Sequence, residues 1–278
     1  MKKRSILFLL SCVVICGLLS ACAGLCRVDA KDSIAVGEIV SFSQFGLFDY
    51  TVQWKKTIHN VDSAEEPHTI FLLTNQEGES YYHTSVLLVQ VSDNWLPYYF
   101  DELALGETLY TADLNGDGLE ELVMQRHLDD FGGAGQYCSY IFNLGRDNIE
   151  ELFCSIVSCG DDFKVFDTGF SCETLENYQM RVKNNVTGYS ITVDISAKYS
   201  EDCFAPSGKL LFSPELFCDS FFDFYPEDVN GDGVFEIVGS QYAYLDIHGN
   251  GLGCANSVME FDSQSKTFQV IDVNFKLQ

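Results

Sequence analysis

From about residue 34 onward, apolar and polar residues alternate with a period of two. Between Tyr189 and Ser196, Tyr189, Ile191, Val193 and Ile195 fall on one face and Ser190, Thr192, Asp194 and Ser196 on the other. Just upstream, Met180 and Val182 alternate with Arg181 and Lys183, and Asn184-Asn185-Val186-Thr187-Gly188 supplies the turn residues of a hairpin between the two runs. Thr69–Leu73, Ser85–Val91 and Phe268–Leu277 read as further strands, and no long run shows a 3.6-residue apolar period. The pattern predicts an all-β body.

Within that pattern one segment occurs twice. Asp113-Leu114-Asn115-Gly116-Asp117-Gly118-Leu119-Glu120-Glu121-Leu122-Val123 aligns with Asp228-Val229-Asn230-Gly231-Asp232-Gly233-Val234-Phe235-Glu236-Ile237-Val238, identical at seven of eleven positions. The likeness continues loosely: Gly132–Gly135 answers Gly249–Gly253, and Cys138 answers Cys254. The repeats span about 109–153 and 224–271, with room between them for a degenerate unit near Asp167.

Each copy opens with oxygen donors at positions 1, 3 and 5: Asp113, Asn115 and Asp117, then Asp228, Asn230 and Asp232. A hard cation such as calcium takes six to eight oxygens, and this spacing in a tight loop turns them toward one centre. Gly118 and Gly233 permit the sharp turn, the carbonyls of Leu119 and Val234 stand at position 7, and Glu121 and Glu236 close the loops from position 9. An EF-hand needs its glutamate at position 12 and flanking helices. Position 12 holds Met124 and Gly239, and the residues after each loop read as a strand.

An acid at position 9 leading straight into a strand resembles the FG-GAP/VCBS repeats. That resemblance covers about 45 residues in each of two places. It implies calcium-binding hairpin loops on β-propeller-like blades, either a small propeller or a pair of blade-like units. Without a cation the two segments would be Asn-Gly turns in which three carboxylates crowd together. The two calcium loops are expected to act independently of one another.

The N-terminus reads as an address. Lys2, Lys3 and Arg4 precede an uncharged apolar run, Ile6 to Leu19, too short to span a bilayer comfortably, and Leu19-Ser20-Ala21-Cys22 comes next. This resembles a bacterial lipobox. It implies a signal peptide over 1–21, a lipidated Cys22, a tether over 22–33, a β-rich domain over 34–278, and a membrane-anchored lipoprotein of the cell envelope facing outside the cytoplasm. Acyl chains on Cys22 would hold the protein at the membrane.

Past residue 21 the chain carries 13 Lys and Arg against 41 Asp and Glu, a formal charge of −28. Such a field repels nucleic acid and favours divalent cations or basic partners. Eight cysteines remain besides Cys22, an even number compatible with disulfides in an exported protein, and no C-x-x-C pair suggests zinc. Cys138 and Cys254 are each expected to pair within their own repeat.

Catalytic signatures are lacking: His59, His68, His83, His127 and His248 are scattered, and no nucleophile elbow or phosphate loop occurs. The acid pairs Asp129-Asp130 and Asp161-Asp162 read as solvated surface. Tyr98-Tyr99-Phe100, Phe221-Phe222 with Phe224-Tyr225, and Tyr242 with Tyr244 are expected to fill the β core, with sugar stacking as their other possible use. Trp95, in an expected loop, is the aromatic placed for a ligand. The function implied is a calcium-binding envelope module for a glycan, an envelope protein or a host protein; the alternative is a polysaccharide-acting enzyme with structural calcium.

Overall fold

A computed structural model of the chain describes residues 34–58, 67–75, 81–129, 136–159, 162–197 and 203–278. The lipobox with Cys22, the Gly132–Gly135 run, Asp130 and Asp161 lie outside them. The described body is all-β, and every sheet is antiparallel with sequential strands as neighbours. The first sheet runs β1 (Ile39–Phe42), β2 (Leu47–Ile58), β3 (His68–Asn75), β4 (Thr84–Val91) and β5 (Asn94–Tyr99). The second runs β6 (Gly106–Ala112), β7 (Glu121–Asp129), β8 (Gln136–Leu144) and β9 (Ile149–Cys154). A hairpin, β10 (Ile156–Cys159) with β11 (Asp162–Val165), precedes a three-stranded sheet of β12 (Phe170–Leu175), β13 (Gln179–Asn184) and β14 (Ser190–Asp194). The last sheet is β15 (Leu216–Glu227), β16 (Glu236–Leu245), β17 (Gly251–Asp262) and β18 (Thr267–Leu277).

The two sequence repeats are thus two four-stranded meanders. The unit between them departs from that pattern, being a hairpin and a three-stranded sheet. Asp167 there accepts the amide of Gly169 at 2.8 Å, in a simple turn. The period-two reading survives in detail. Met180 and Val182 on β13 are fully buried, Arg181 and Lys183 between them reach solvent and pair with Glu173, and Asn184 caps the turn by accepting the amides of Val186 and Thr187.

Packing follows from which faces are apolar. On β7, Leu122 and Met124 point with Tyr140 and Phe142 toward the first sheet's Ile70, Leu72, Leu87 and Val89. The intervening Val123 points the other way and, with Ile141 and Phe153, meets Phe221, Phe224, Ile237 and Met259 of the last sheet. The second sheet is therefore buried on both sides. In the last sheet, the strand positions matching Leu122 and Met124 are Ile237 and Gly239, so the same face of each repeat packs onto the sheet before it. Farther along that face, Ala243, Leu245 and Phe275 cover Met180 and Val182 of the three-stranded sheet. The first sheet curls around a cluster that is all its own, including Val40, Phe42, Leu47, Val52, Phe71 and Leu88.

Trp95 belongs to that cluster. It is not in a loop, as the sequence suggested, but on β5, with its ring 5.0 Å from Phe42 and 5.6 Å from Phe71. Ser92 and Asp93 form the turn before β5, and strand alternation then sends the indole inward. Tyr98, Phe100, Phe221 and Phe224 also pack in the core as expected.

One charge lies deep in the seam between the first two sheets. Arg126 on β7 is fully buried; it donates to the Glu102 carboxylate at 3.1 Å and to the Glu102 carbonyl at 2.8 Å, and its guanidinium sits 4.3 Å from the Phe100 ring centre. Its Nε lies 3.8 Å from Glu107, which also bonds His83 at 3.0 Å and accepts from Ser85. Burial pushes the Glu107 carboxyl up, but hydrogen bonds from His83 and Ser85 and the charges of His83 and Arg126 outweigh it and hold the group below the usual carboxylate range.

Among the described residues, Cys138, Cys154, Cys172, Cys218 and Cys254 are free thiols. Cys138 and Cys154, on adjacent strands of the second sheet, have their sulfurs 3.6 Å apart.

Candidate metal centre

Both acidic motifs occupy the same place in their sheets. Residues 113–120 join β6 to β7, and residues 228–235 join β15 to β16, the first and second strands of each meander. Six internal hydrogen bonds recur in both, and the second loop adds one, from Asp232 N to the Asp228 carboxylate at 3.1 Å. The carboxylate of Asp113 accepts the amides of Gly116 at 2.8 Å and Gly118 at 2.9 Å; that of Asp228 accepts Gly231 at 2.7 Å and Gly233 at 3.2 Å. Asn115 and Asn230 accept the amides of Asp117 and Asp232, each at 2.9 Å. Asp117 and Asp232 accept those of Leu119 at 2.8 Å and Val234 at 2.9 Å. The glycines at position 6 carry φ of 85° and 91°, a left-handed region open to glycine at little cost.

The position-9 glutamates are the buried members. Glu121 and Glu236 are 2 % and 4 % exposed, at the first residue of β7 and of β16. Each reaches back into its loop. Glu121 accepts from Leu114 N at 2.9 Å and from the Asn115 amide group at 2.7 Å, and Glu236 accepts from Val229 N and Asn230 at the same two distances. Burial, reinforced by the charges of Asp117 and Asp113, pushes Glu121 up to about 7. A carboxylate so placed, near two others and hydrogen-bonded by neutral donors, has the electrostatics that a bound cation relieves.

The structure also brings the loops together. Phe235 N in the second loop donates to the Asp113 carbonyl in the first at 2.8 Å, and a Cβ added to Gly116 would stand 3.3 Å from the Val234 side chain. Nothing in the sequence signals this contact, because it joins backbone groups of distant segments. The two loops, expected to act independently, are thus neighbours that share a backbone hydrogen bond.

All the donors are oxygens: in the first loop Asp113, Asn115, Asp117, the Leu119 carbonyl and Glu121; in the second Asp228, Asn230, Asp232, the Val234 carbonyl and Glu236. This suits a hard cation and gives no soft ligand for zinc or copper. Among the described residues, no three His, Cys, Asp or Glu side chains form a ready metal cluster. Beside the first loop, Asn115 and Asp117 line a cleft of about 360 Å³ with Asn143, Glu150, Phe261 and Lys266.

Comparison with known proteins places the second loop within a recognised segment. Residues 169–276 match the family model described as the YybI C-terminal domain, which takes in β12 to β18 and leaves the first loop outside. No solved structure matches the chain. Over 171 residues, covering 60% of this chain and 62% of the relative's length, the chain is 22% identical to the Bacillus subtilis (strain 168) protein described as "Uncharacterized protein YybI".

Proposed function

We propose that this protein is a calcium-binding lipoprotein of the bacterial cell envelope, anchored through Cys22, whose propeller-like β body serves as a binding module for a glycan or protein. The observation that carries the reading is the equivalence of the two loops: the same oxygen donors, the same hydrogen-bond frame and the same buried glutamate at the same sheet position. Calcium would supply positive charge among carboxylates that otherwise repel one another. Asp113, Asn115, Asp117, Leu119 and Glu121 would hold one ion, and Asp228, Asn230, Asp232, Val234 and Glu236 the other. The glycines and the Asx turns fix the loop shape, and the glutamates tie each loop to its second strand. The repeated use of one face to cover the preceding sheet supports reading the two meanders as blades.

Extracellular calcium modules bind with dissociation constants of about 10⁻⁴–10⁻³ M. At free calcium about ten times the dissociation constant, binding to the folded state adds roughly 1.4 kcal/mol per site. For a chain of this size that is a melting-temperature rise of a few degrees per site, at roughly 2–4 °C per kcal/mol. A thermal melt in millimolar calcium against chelator tests the reading; identical curves would remove it.

The enzyme alternative has one observation to its name, an open cleft of about 640 Å³ lined by Trp54, Tyr81, His83 and Glu107. Glycoside hydrolysis ordinarily needs two carboxyl groups flanking the scissile bond. Glu107 is the one carboxylate among the described residues of that lining, and its oxygens are engaged by His83 and Ser85. The binding reading is the better supported.

A further inference from the structure

Among the described residues nothing covers the second face of the last sheet, and at the end away from the acidic loop that face carries a row of aromatic rings. Phe217 on β15 lies directly across from Tyr244 on β16, with ring centres 5.7 Å apart and planes inclined by 22°. Tyr242, two residues back on the same face, has its ring 5.9 Å from Tyr244 and inclined by 26°. Three rings thus lie side by side at small angles. His248, in the turn between β16 and β17, folds against both tyrosines at 5.0 and 5.1 Å. Its Nε2 bonds the Asp219 carboxylate at 2.6 Å, and its backbone carbonyl accepts the Tyr242 hydroxyl at 3.2 Å.

These groups are fixed in place yet reachable. Phe217 is 38% exposed, and the His248 and Asp219 side chains keep 34% and 23% exposure. Gly251 makes room for the row: a Cβ there would stand 2.1 Å from the Tyr242 hydroxyl.

We propose that Phe217, Tyr242 and Tyr244, with the Asp219–His248 pair at their edge, form a binding platform for a neutral glycan. The inference rests on the reading of the chain as a binding module and names where, and for what, it binds. Flat rings suit the C–H faces of pyranose sugars, and a carboxylate hydrogen-bonded to an imidazole beside them offers both acceptor and donor to sugar hydroxyls. Size and surroundings argue against a protein occupant. A stable protein interface uses roughly 20–30 residues a side, whereas this patch has five. Toward the loop end the same face turns polar, with Ser240 bonded to Asn256 at 2.8 Å. Glu215 and Asp246 flank the row, Lys276 stands across from Cys254 beside it, and the chain's strongly negative charge disfavours acidic polymers.

Affinity electrophoresis of the full chain in gels containing hydroxyethylcellulose or galactomannan, with polygalacturonate as the acidic arm, tests this. The platform predicts retardation by a neutral polymer, weakened roughly tenfold in Tyr244→Ala, at the strong end of ring-stacking contributions. Tyr244→Phe should keep the retardation, and Asp219→Asn should weaken it with an unchanged melting curve. Retardation that survives both Tyr244→Ala and Phe217→Ala overturns the platform while leaving a glycan-binding module elsewhere. Retardation by polygalacturonate alone, or by no polymer, overturns the neutral-glycan occupant, and the calcium melt still decides the loops. Self-association abolished by Tyr244→Ala would assign the face to a second copy instead.

Discussion

The two repeat sheets share a motif, a strand order and a loop geometry, yet they occupy opposite situations. The sheet of β6–β9 is interior, covered by the first sheet on one side and the last on the other. The sheet of β15–β18 covers others with one face and, among the described residues, has nothing packed on its second. Equivalent residues have diverged accordingly. At position 2 of the loops, Leu114 is 2% exposed and Val229 52%. Fully buried Arg126 in the seam corresponds to Gln241, which is also buried but satisfied by neutral partners: it accepts from Thr168 at 2.5 Å and donates to the Asp219 carbonyl at 2.7 Å. What both copies retain is the acidic loop. Retention of one element while its surroundings change in opposite directions points to a shared role for the loops, and the differences point to separate roles for the sheets.

The largest contrast should appear at the buried polar position. Arg126→Ala takes the guanidinium away from Glu102, Glu107 and the Phe100 ring, and removing one partner of a buried charged network costs about 3–5 kcal/mol. Gln241→Ala leaves neutral groups unpaired and should cost about 1–3 kcal/mol. Urea unfolding of the two variants checks the order; equal losses would mean that the Arg126 network adds nothing beyond ordinary hydrogen bonding.

Position 2 of the loops comes next. Leu114→Ala opens a cavity between two sheets and should cost about 2–5 kcal/mol, while Val229→Ala on the surface should stay within about 0.5 kcal/mol. The same unfolding assay reads both, and a comparable loss at Val229 would contradict its exposed position.

The loop contact gives a smaller, more pointed effect. Asp117→Ala and Asp232→Ala should each remove calcium-dependent stabilisation of roughly 1.4 kcal/mol at tenfold excess over the dissociation constant. Because the Phe235 amide bonds the Asp113 carbonyl, the two losses should not add, with a coupling of about 0.5 kcal/mol or more. Thermal melts of the single and double variants in calcium close this cycle, and strict additivity would restore independent loops. Smallest of all, Asn256→Ile on the open face should shift stability by no more than about 0.5 kcal/mol. A large gain would mean that this face is already sheltered.

Much of this architecture was legible in the chain. Alternation placed β13, β14 and β18, because a half-buried strand writes its burial into every second residue, while β3 and β4 showed as short apolar runs and are buried on both faces. The loops were legible because oxygen spacing and glycine placement are local requirements. Trp95 was misplaced because a polar dipeptide before an aromatic looks like a loop, and only the curl of the first sheet shows that the indole turns inward. The Arg126 seam left a faint signal, a lone charge inside Leu122-Val123-Met124-Gln125-Arg126, but its partners Glu102, Glu107 and His83 come from another part of the chain. The touching of the loops left none. Nor could alternation distinguish Tyr242 and Tyr244 on an open face from core rings, since both patterns alternate alike.

Calorimetric titration of calcium into chelator-treated protein tests the central claim, that two equivalent loops each hold one ion, most directly. Two such sites predict a stoichiometry of two per chain, falling to one in Asp232→Ala and in Asp117→Ala alike, with magnesium a poor substitute because it demands a tighter octahedral cage. Absence of binding heat at millimolar calcium, or a stoichiometry unchanged by either substitution, would contradict it.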